Sequence, residues 1–189
     1  MNLFKTLAKK PLVGISACLL GKHVRYDGGH KLDPYLHEVL GKSVEVVPVC
    51  PETECGLGIP REAMQLEEMN CSILLMTRST NVDITPKIQH WMKIRLDELS
   101  QLQLCGFIFK TKSPSCGLHQ VEVFLPGGSI RYNGTGLFAR GFMERFPRIP
   151  VEDESGLQDE SLLENFIERI ISLQRWYESN PQKKTTPLN

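Results

Sequence analysis

The sequence predicts an α/β fold, a three-layer Rossmann-like domain with a mainly parallel sheet and a C-terminal helix. Short apolar, β-branched runs typical of buried strands alternate with longer segments of helical periodicity, which is the pattern of a layered α/β protein. Three of these runs lead to a cysteine: Cys18, Cys50 or Cys116. Because parallel strands place their carboxyl ends at one edge of the sheet, we expect the three thiols to open onto the same crevice.

The first half of the chain is predicted to contain three strands and two helices. In chain order these are a strand at 13–18, a helix at about 33–40, a strand at 44–50, a strand at 72–77 and a helix at 84–101. The helix at 84–101 is the clearest amphipathic segment, with Pro86 in its first turn and apolar residues at helical spacing. Residues 51–60 are rich in glycine and proline, so we expect an irregular functional loop there.

The second half is predicted to complete the sheet and to end in a helix. In chain order it has a strand at 105–109, a hairpin of 121–125 and 129–132, a helix at 136–146, a strand at 149–151 and an amphipathic helix at 160–177. We therefore expect one α/β domain over residues 1–178. Residues 179–189 have no apolar periodicity, which predicts a disordered tail.

Composition gives no support to several classes of function. With 22 basic and 22 acidic residues, the chain has no net charge that would attract nucleic acid or an acidic membrane. No apolar run approaches the ~20 residues of a membrane-spanning helix. The apolar stretch that ends at Cys18 is similar to a short lipoprotein signal, but Pro11 and Gly14 interrupt it. The six irregularly spaced cysteines favour a reducing compartment, so we expect a soluble cytoplasmic protein that uses thiols to bind metal.

Three thiolates at one site would suit a metal centre that keeps a coordination position free for chemistry. Any one of these cysteines could instead be a packed core thiol, which is what we expect of Cys71 and Cys105. Cys55 lies in the same loop as Cys50 and could serve as a fourth ligand, which would make the centre structural rather than catalytic. Nothing in the spacing of His119 indicates metal ligation.

Several separated motifs between about Leu12 and Glu154 resemble the thiouracil desulfidase family. They are Ser16-Ala17-Cys18-Leu19-Leu20-Gly21, Val24-Arg25-Tyr26-Asp27-Gly28-Gly29, Cys50-Pro51-Glu52, Gly56-Leu57 with Pro60-Arg61-Glu62, and Lys112-Ser113-Pro114-Ser115-Cys116-Gly117. The resemblance implies a 4Fe-4S cluster that is held by Cys18, Cys50 and Cys116 and has one iron without a protein ligand. It also implies non-redox, hydrolytic desulfuration of a thiolated pyrimidine, thiouracil or thiouridine, with release of sulfide.

The same resemblance assigns roles to four further residues. Glu52 is placed to be the base for the attacking water, and Ser113 to orient the pyrimidine or the water. Ser115 competes with Ser113 for the catalytic hydroxyl, and Arg25 could contact a substrate carbonyl or phosphate. The expected partner is a small thiolated pyrimidine. Longer relatives act on thiolated uridine in tRNA, but the balanced charge gives no argument for tRNA here.

Two other functions stay open at this point. Gly134-Thr135-Gly136-Leu137-Phe138-Ala139 matches the dinucleotide-binding fingerprint, which would favour a nucleotide-dependent oxidoreductase. A short match of this kind is a weak signal, because little sequence follows it to build the expected βαβ unit. The other alternative is a structural metal-binding module, for which a fourth ligand such as Cys55 would be the main support.

Overall fold

The computed structural model describes residues 7–41 and 43–185, and within them it has eight strands and five α-helices. The strands are β1 (Leu12–Ser16), β2 (Glu45–Val49), β3 (Met64–Met69), β4 (Ser72–Thr77), β5 (Leu104–Phe109), β6 (Val121–Phe124), β7 (Ile130–Gly134) and β8 (Val151–Asp153). The helices are α1 (Pro34–Leu40), α2 (Pro51–Glu54), α3 (Thr85–Ser100), α4 (Leu137–Arg145) and α5 (Glu160–Ser179). Two 3₁₀ helices cover Ala17–Leu20 and Gly156–Gln158.

Four strands form a fully parallel sheet in the order β2-β1-β5-β8. In its centre, Ile15 of β1 lies opposite Pro48 of β2 and Ile108 of β5. The strands that lead to the three cysteines are therefore adjacent and point the same way. This confirms the predicted parallel sheet.

Helices cover both faces of this sheet, as a three-layer fold requires. On one face, α1 and α5 pack against β1 and β5 through a cluster that includes Leu36, Phe166 and Ile170. On the other face, α3 and α4 pack against β5 through Leu99, Phe138 and Phe142 among others. Every residue of β5 is buried, which explains why its sequence is a continuous apolar run rather than an alternating one. The predicted three-layer Rossmann-like architecture is confirmed.

The C-terminal helix α5 is amphipathic and begins at a capping residue. Asp159 accepts hydrogen bonds from the backbone N–H groups of Ser161 and Leu162, so two donors of the first turn have a partner. Apolar side chains at helical spacing face the sheet, while charged residues cover the outer face. Among the described residues, no helix has both the length and the apolar character needed to cross a membrane.

A second sheet, in the order β4-β3-β6-β7, was not predicted. β3 pairs antiparallel with β4 and parallel with β6, and β6 pairs antiparallel with β7. The predicted strand at 72–77 belongs to this sheet, not to the parallel one. β3 escaped prediction because it buries only Met64 and Leu66, between polar residues. Cys71 lies exposed in the β3–β4 turn, so its prediction as a core residue is wrong, whereas Cys105 is fully buried as expected.

Two further segments differ from expectation. The loop predicted at 51–60 begins with the short helix α2, because Pro51 suits the first helical position. The tail was expected to be disordered from 179, but its described part contacts the body of the protein. Thr185 is buried, its hydroxyl accepts a hydrogen bond from Leu104 N, and its own N–H donates to Leu102 O. Residues 186–189 lie outside the described residues.

Candidate active site

The carboxyl edge of the parallel sheet brings the three predicted cysteines to one cavity of about 210 Å³. Cys18 lies in the 3₁₀ helix that follows β1, and Cys50 lies between β2 and α2. Cys116 lies in the loop after β5, in the turn that begins at Pro114. Each of the three lines the cavity, so the predicted convergence of the thiols is present in the structure.

Burial and mutual proximity raise the pKa values of two of these thiols. Burial, followed by the neighbouring Cys50, raises the pKa of Cys18 to about 11, and Lys110 and Arg25 oppose this in part. Burial raises the pKa of Cys116 well above its ordinary value, and Cys50 and Cys18 add to the effect. Without a metal these two thiols are therefore protonated at neutral pH. A cation that replaces their protons would relieve this cost, which is the usual behaviour of thiol ligands.

Ser16 lines the cavity and contacts Cys116. Its hydroxyl oxygen accepts a hydrogen bond from Lys110 N at 3.0 Å, and its side chain also hydrogen-bonds the Cys116 sulfur, which opposes the rise in the pKa of that thiol. Ser16 is the last residue of β1 and is almost fully buried. It therefore connects the end of one strand to the loop that follows the next strand of the sheet.

Glu52 lies in α2, two residues beyond Cys50, and its carboxylate lines the cavity. Arg61 donates to its Oε2 from Nε at 2.9 Å and also from Nη2. Ser115 donates from its hydroxyl to Oε1 at 3.0 Å. Both lone pairs of Oε2 are engaged by Arg61, but Oε1 keeps one beyond its bond to Ser115, so Glu52 is oriented and can still accept a proton from a molecule in the cavity.

The two serines proposed for the hydroxyl role have different positions. Ser113 lines the cavity, and its oxygen accepts hydrogen bonds from the backbone N–H groups of Ser115 and Cys116 at 3.2 and 3.0 Å. This leaves the Ser113 hydroxyl proton available to the cavity. Ser115 is fully buried and is not among the residues that line the cavity. Its position supports Glu52 rather than a substrate.

Charged side chains flank the opening. Arg25 lines the cavity, with its guanidinium 5.4 Å from the ring centroid of Tyr26 and 3.6 Å from Asp27. Lys110 also lines the cavity and pairs with Glu154, whose carboxylate accepts hydrogen bonds from Thr111 as well. Arginine and lysine side chains therefore offset part of the negative charge that thiolates would bring to the site.

Cys55 does not line this cavity. Its thiol donates to the backbone oxygen of Glu52 at 3.2 Å, and its side chain packs against the core of the second sheet. Burial raises its pKa, which favours the protonated thiol. The geometry therefore gives no support to Cys55 as a fourth ligand.

A protein-family comparison places this geometry in a known context. The model of the 2-thiouracil desulfurase family matches residues 13–154, which contain all three cavity cysteines, Glu52 and Ser113. The chain belongs to the 2-thiouracil desulfurase family.

A solved structure is similar to this family member over most of its length. It is the [4Fe-4S]-dependent thiouracil desulfidase TudS (DUF523Vcz), which is 25% identical in sequence and has a TM-score of 0.63. The match covers 83% of this chain and 99% of that one. Among curated proteins, none matches this chain.

The glycine motif that favoured an oxidoreductase has another use in this 2-thiouracil desulfurase family member. A dinucleotide fold would direct the first N–H groups of α4 at a pyrophosphate. Here Leu137 N donates to Pro114 O, and Phe138 N donates to Ser115 O. A Cβ on Gly136 would lie 2.5 Å from the Ser115 carbonyl carbon, so glycine is needed where α4 meets the cysteine loop. The motif supports the Cys116 loop and leaves these donors unavailable to phosphate.

Sequence reasoning assigned no role to Arg61 or Ser16. Arg61 was visible only as part of a motif, yet its side chain is 8% exposed and also donates to the backbone oxygens of Val24 and Gly58. A buried arginine needs an acidic partner, but the burial of Arg61 is seen only in the structure, so no signal in the sequence identifies this pair. Ser16 is the last residue of an apolar run, two residues before Cys18. A hydroxyl at the end of such a run is the feature of the sequence that could have indicated a role for Ser16 at the site.

Proposed function

We propose that this protein is a 4Fe-4S-dependent desulfidase that hydrolyses a thiolated pyrimidine such as thiouracil. The reaction is thiouracil plus water to uracil plus hydrogen sulfide, and it transfers no net electrons. The observation that carries the proposal is the convergence of Cys18, Cys50 and Cys116 on one cavity at the carboxyl edge of the sheet. Membership of the 2-thiouracil desulfurase family and the likeness to TudS support it.

The residues present fit an iron–sulfur cluster. Three buried or half-buried thiols line a single cavity, and thiolates are the ligands that hold such clusters. Cys18, Cys50 and Cys116 would hold it, and Cys55 faces elsewhere. When bound, the cluster supplies an iron with a free coordination position, a Lewis acid suited to a soft thiocarbonyl sulfur.

The protein's own groups supply the rest of the reaction. Glu52 accepts a proton from water as the water oxygen bonds to the thiocarbonyl carbon, and the carbon–sulfur bond then breaks. As this bond breaks, the carbon keeps the oxygen as a carbonyl, and the sulfur leaves as hydrogen sulfide with the second proton of the water and the proton that Glu52 took up. Arg61 and Ser115 hold the Glu52 carboxylate in place for this step. Ser113, with its hydroxyl proton available, donates a hydrogen bond to the pyrimidine or to the water, and Arg25 contacts a substrate carbonyl at the entrance.

Two finer points stay predictions. The first is the form of the substrate, because a free base, a nucleoside and a thiolated tRNA all carry the same thiocarbonyl. The charge balance gives no argument for tRNA. The second is the cytoplasmic location, which the six cysteines favour because all of them are free thiols.

Anaerobic reconstitution with iron and sulfide, followed by a sulfide-release assay with thiouracil, tests the proposal. We expect about four irons per chain, a broad absorption near the edge of the visible range and stoichiometric uracil and sulfide. Cys18→Ser should lose the cluster and turnover, while Cys71→Ser, at an exposed turn away from the cavity, should keep both. A reconstituted protein that carries the cluster but releases no sulfide from thiouracil or its nucleoside would overturn the proposed function.

A further inference from the structure

Three side chains outside the cavity form a second group of metal-binding donors. They are His119, in the loop after β5, and Glu152 and Asp153, at the end of β8. One donor atom of each lies within 4.8 Å of the others. None of the three lines the cavity that holds the cysteines.

Asp153 is the fixed member of this group. Its side chain is 6% exposed, and its Oδ1 accepts hydrogen bonds from the backbone N–H groups of Ser155 and Gly156 at 3.0 and 2.9 Å. Within the described part of the chain, its Oδ2 accepts no hydrogen bond and faces His119 Nε2 at 3.5 Å. This oxygen therefore keeps its lone pairs available for a cation on the side that faces the imidazole.

The spacing fits a shared ion. Two ligands bound at about 2.1 Å in a tetrahedral site lie about 3.4 Å apart, close to the separation of His119 Nε2 and Asp153 Oδ2. Glu152 adds a second carboxylate, and its Oε1 is oriented by a hydrogen bond from Asp153 N at 3.0 Å. Backbone donors that fix the ligand carboxylates are typical of the outer shell of metal sites.

We propose that His119, Glu152 and Asp153 form a second cation site, which binds a divalent transition ion such as Mn²⁺ or Zn²⁺. One imidazole and two carboxylates are a donor set suited to these ions. The ion joins the loop that carries Cys116 to β8, the edge strand of the parallel sheet. Glu154, the next residue along the chain, already holds Lys110 and Thr111 of the same loop, so the ion strengthens an existing connection.

Mn²⁺ titration of the reconstituted protein, followed by electron paramagnetic resonance of the free ion, tests this site. Mn²⁺ favours oxygen and nitrogen over thiolate, so the remaining cysteines do not compete for it. We expect wild-type protein to remove about one Mn²⁺ per chain from solution, and added Zn²⁺ to release it, in the order of affinities for divalent ions.

The deciding variant is His119→Ala. The His119 side chain is 65% exposed, so its removal should leave the fold intact. We expect its affinity for Mn²⁺ to be at least about tenfold weaker. His90→Ala, an exposed histidine of α3, is the matched control and should bind as wild type does. The cluster absorption of each variant reports that the protein is folded. A free-ion signal that wild-type protein leaves unchanged, or equal binding by His119→Ala, overturns the proposal.

Discussion

Arg61 donates two hydrogen bonds to a single oxygen of Glu52, from Nε at 2.9 Å and from Nη2. The same Nη2 donates to Val24 O, and Arg61 N donates to Tyr26 O. One buried guanidinium therefore connects α2, which follows Cys50, to the loop at the entrance of the cavity. Because the pair is mostly buried and its geometry is fixed, Arg61 should stabilise and orient the Glu52 carboxylate more strongly than a partner in a surface ion pair would.

Arg61→Lys should lower kcat by about 10- to 100-fold with little change in KM. Lysine keeps the charge but cannot place two donors on Glu52 and a third on Val24, so the carboxylate moves from its position relative to the water. Steady-state sulfide release measures this, and iron content checks that the cluster is retained. Arg131→Lys, in an exposed pair with Glu68, is the matched control and should be unaffected. If Arg61 acts through Glu52, the double variant Arg61→Lys with Glu52→Gln loses no more than Glu52→Gln alone.

Glu52→Gln should keep the cluster and lose about 10²- to 10⁴-fold in turnover. Glutamine has the same shape and can still accept a hydrogen bond from Arg61, but it cannot take a proton from water. Single-turnover sulfide release with thiouracil gives the rate, and absorbance gives the cluster occupancy. Glu38→Gln, on the exposed face of α1, controls for loss of a surface charge. Undiminished turnover would remove Glu52 from the mechanism.

Cys55→Ser and Cys50→Ser form a matched pair that separates an open centre from a closed one. Cys50 lines the cavity, so its replacement should abolish cluster binding. Cys55 donates to a backbone oxygen and packs against the second sheet, so its replacement should leave iron content and turnover near wild type. Iron analysis and sulfide release on both proteins measure this. Loss of iron in Cys55→Ser would instead indicate a fourth protein ligand.

The parallel sheet and the cysteine site could be predicted because each depends on local patterns and one topological rule. An apolar run followed by a cysteine predicts where that cysteine lies once the strands are parallel neighbours, and Cys18, Cys50 and Cys116 needed nothing more. The motif around Gly136 matches a dinucleotide fingerprint in the sequence, whereas in the structure glycine is needed because α4 approaches the Ser115 backbone closely.

Contacts between segments without regular periodicity could not be predicted in the same way. Arg61 reaches Glu52 from an irregular segment. Because that segment has no hydrophobic periodicity, its direction cannot be predicted from the sequence. β3 is stabilised by its pairing with β4 and β6 rather than by its own residues, of which only Met64 and Leu66 are buried. Cys71 directly precedes an apolar strand, but it lies in the tight turn between β3 and β4, where its side chain is exposed.

Ser16→Ala should reduce the free energy of unfolding of the cluster-free protein by about 1 to 3 kcal/mol. The change leaves Lys110 N without its hydrogen-bond acceptor at a nearly buried position and removes the hydroxyl that contacts Cys116. Urea unfolding under reducing conditions measures the loss. Ser129→Ala, in the exposed turn between β6 and β7, should change stability by less than about 0.5 kcal/mol. Equal effects of the two substitutions would show that the Ser16 hydrogen bonds contribute nothing.

The cluster-free protein should lose stability as the pH rises above 9. In the unfolded chain a thiol ionises near 9.0, whereas burial raises the pKa of Cys18 to about 11 and that of Cys105 to about 12. Between these values the folded protein holds more protons than the unfolded chain, so the free energy of unfolding falls with increasing pH. The contribution is fully present below pH 9 and is lost as the pH passes through about 11 for Cys18 and about 12 for Cys105. Urea unfolding at pH 8, 9, 10 and 11 measures the slope. Cys105→Ala should flatten it, because this thiol lies outside the cavity and its ionisation is then removed from both states. An unchanged slope in that variant would show that the ionisation of Cys105 does not contribute to the loss of stability.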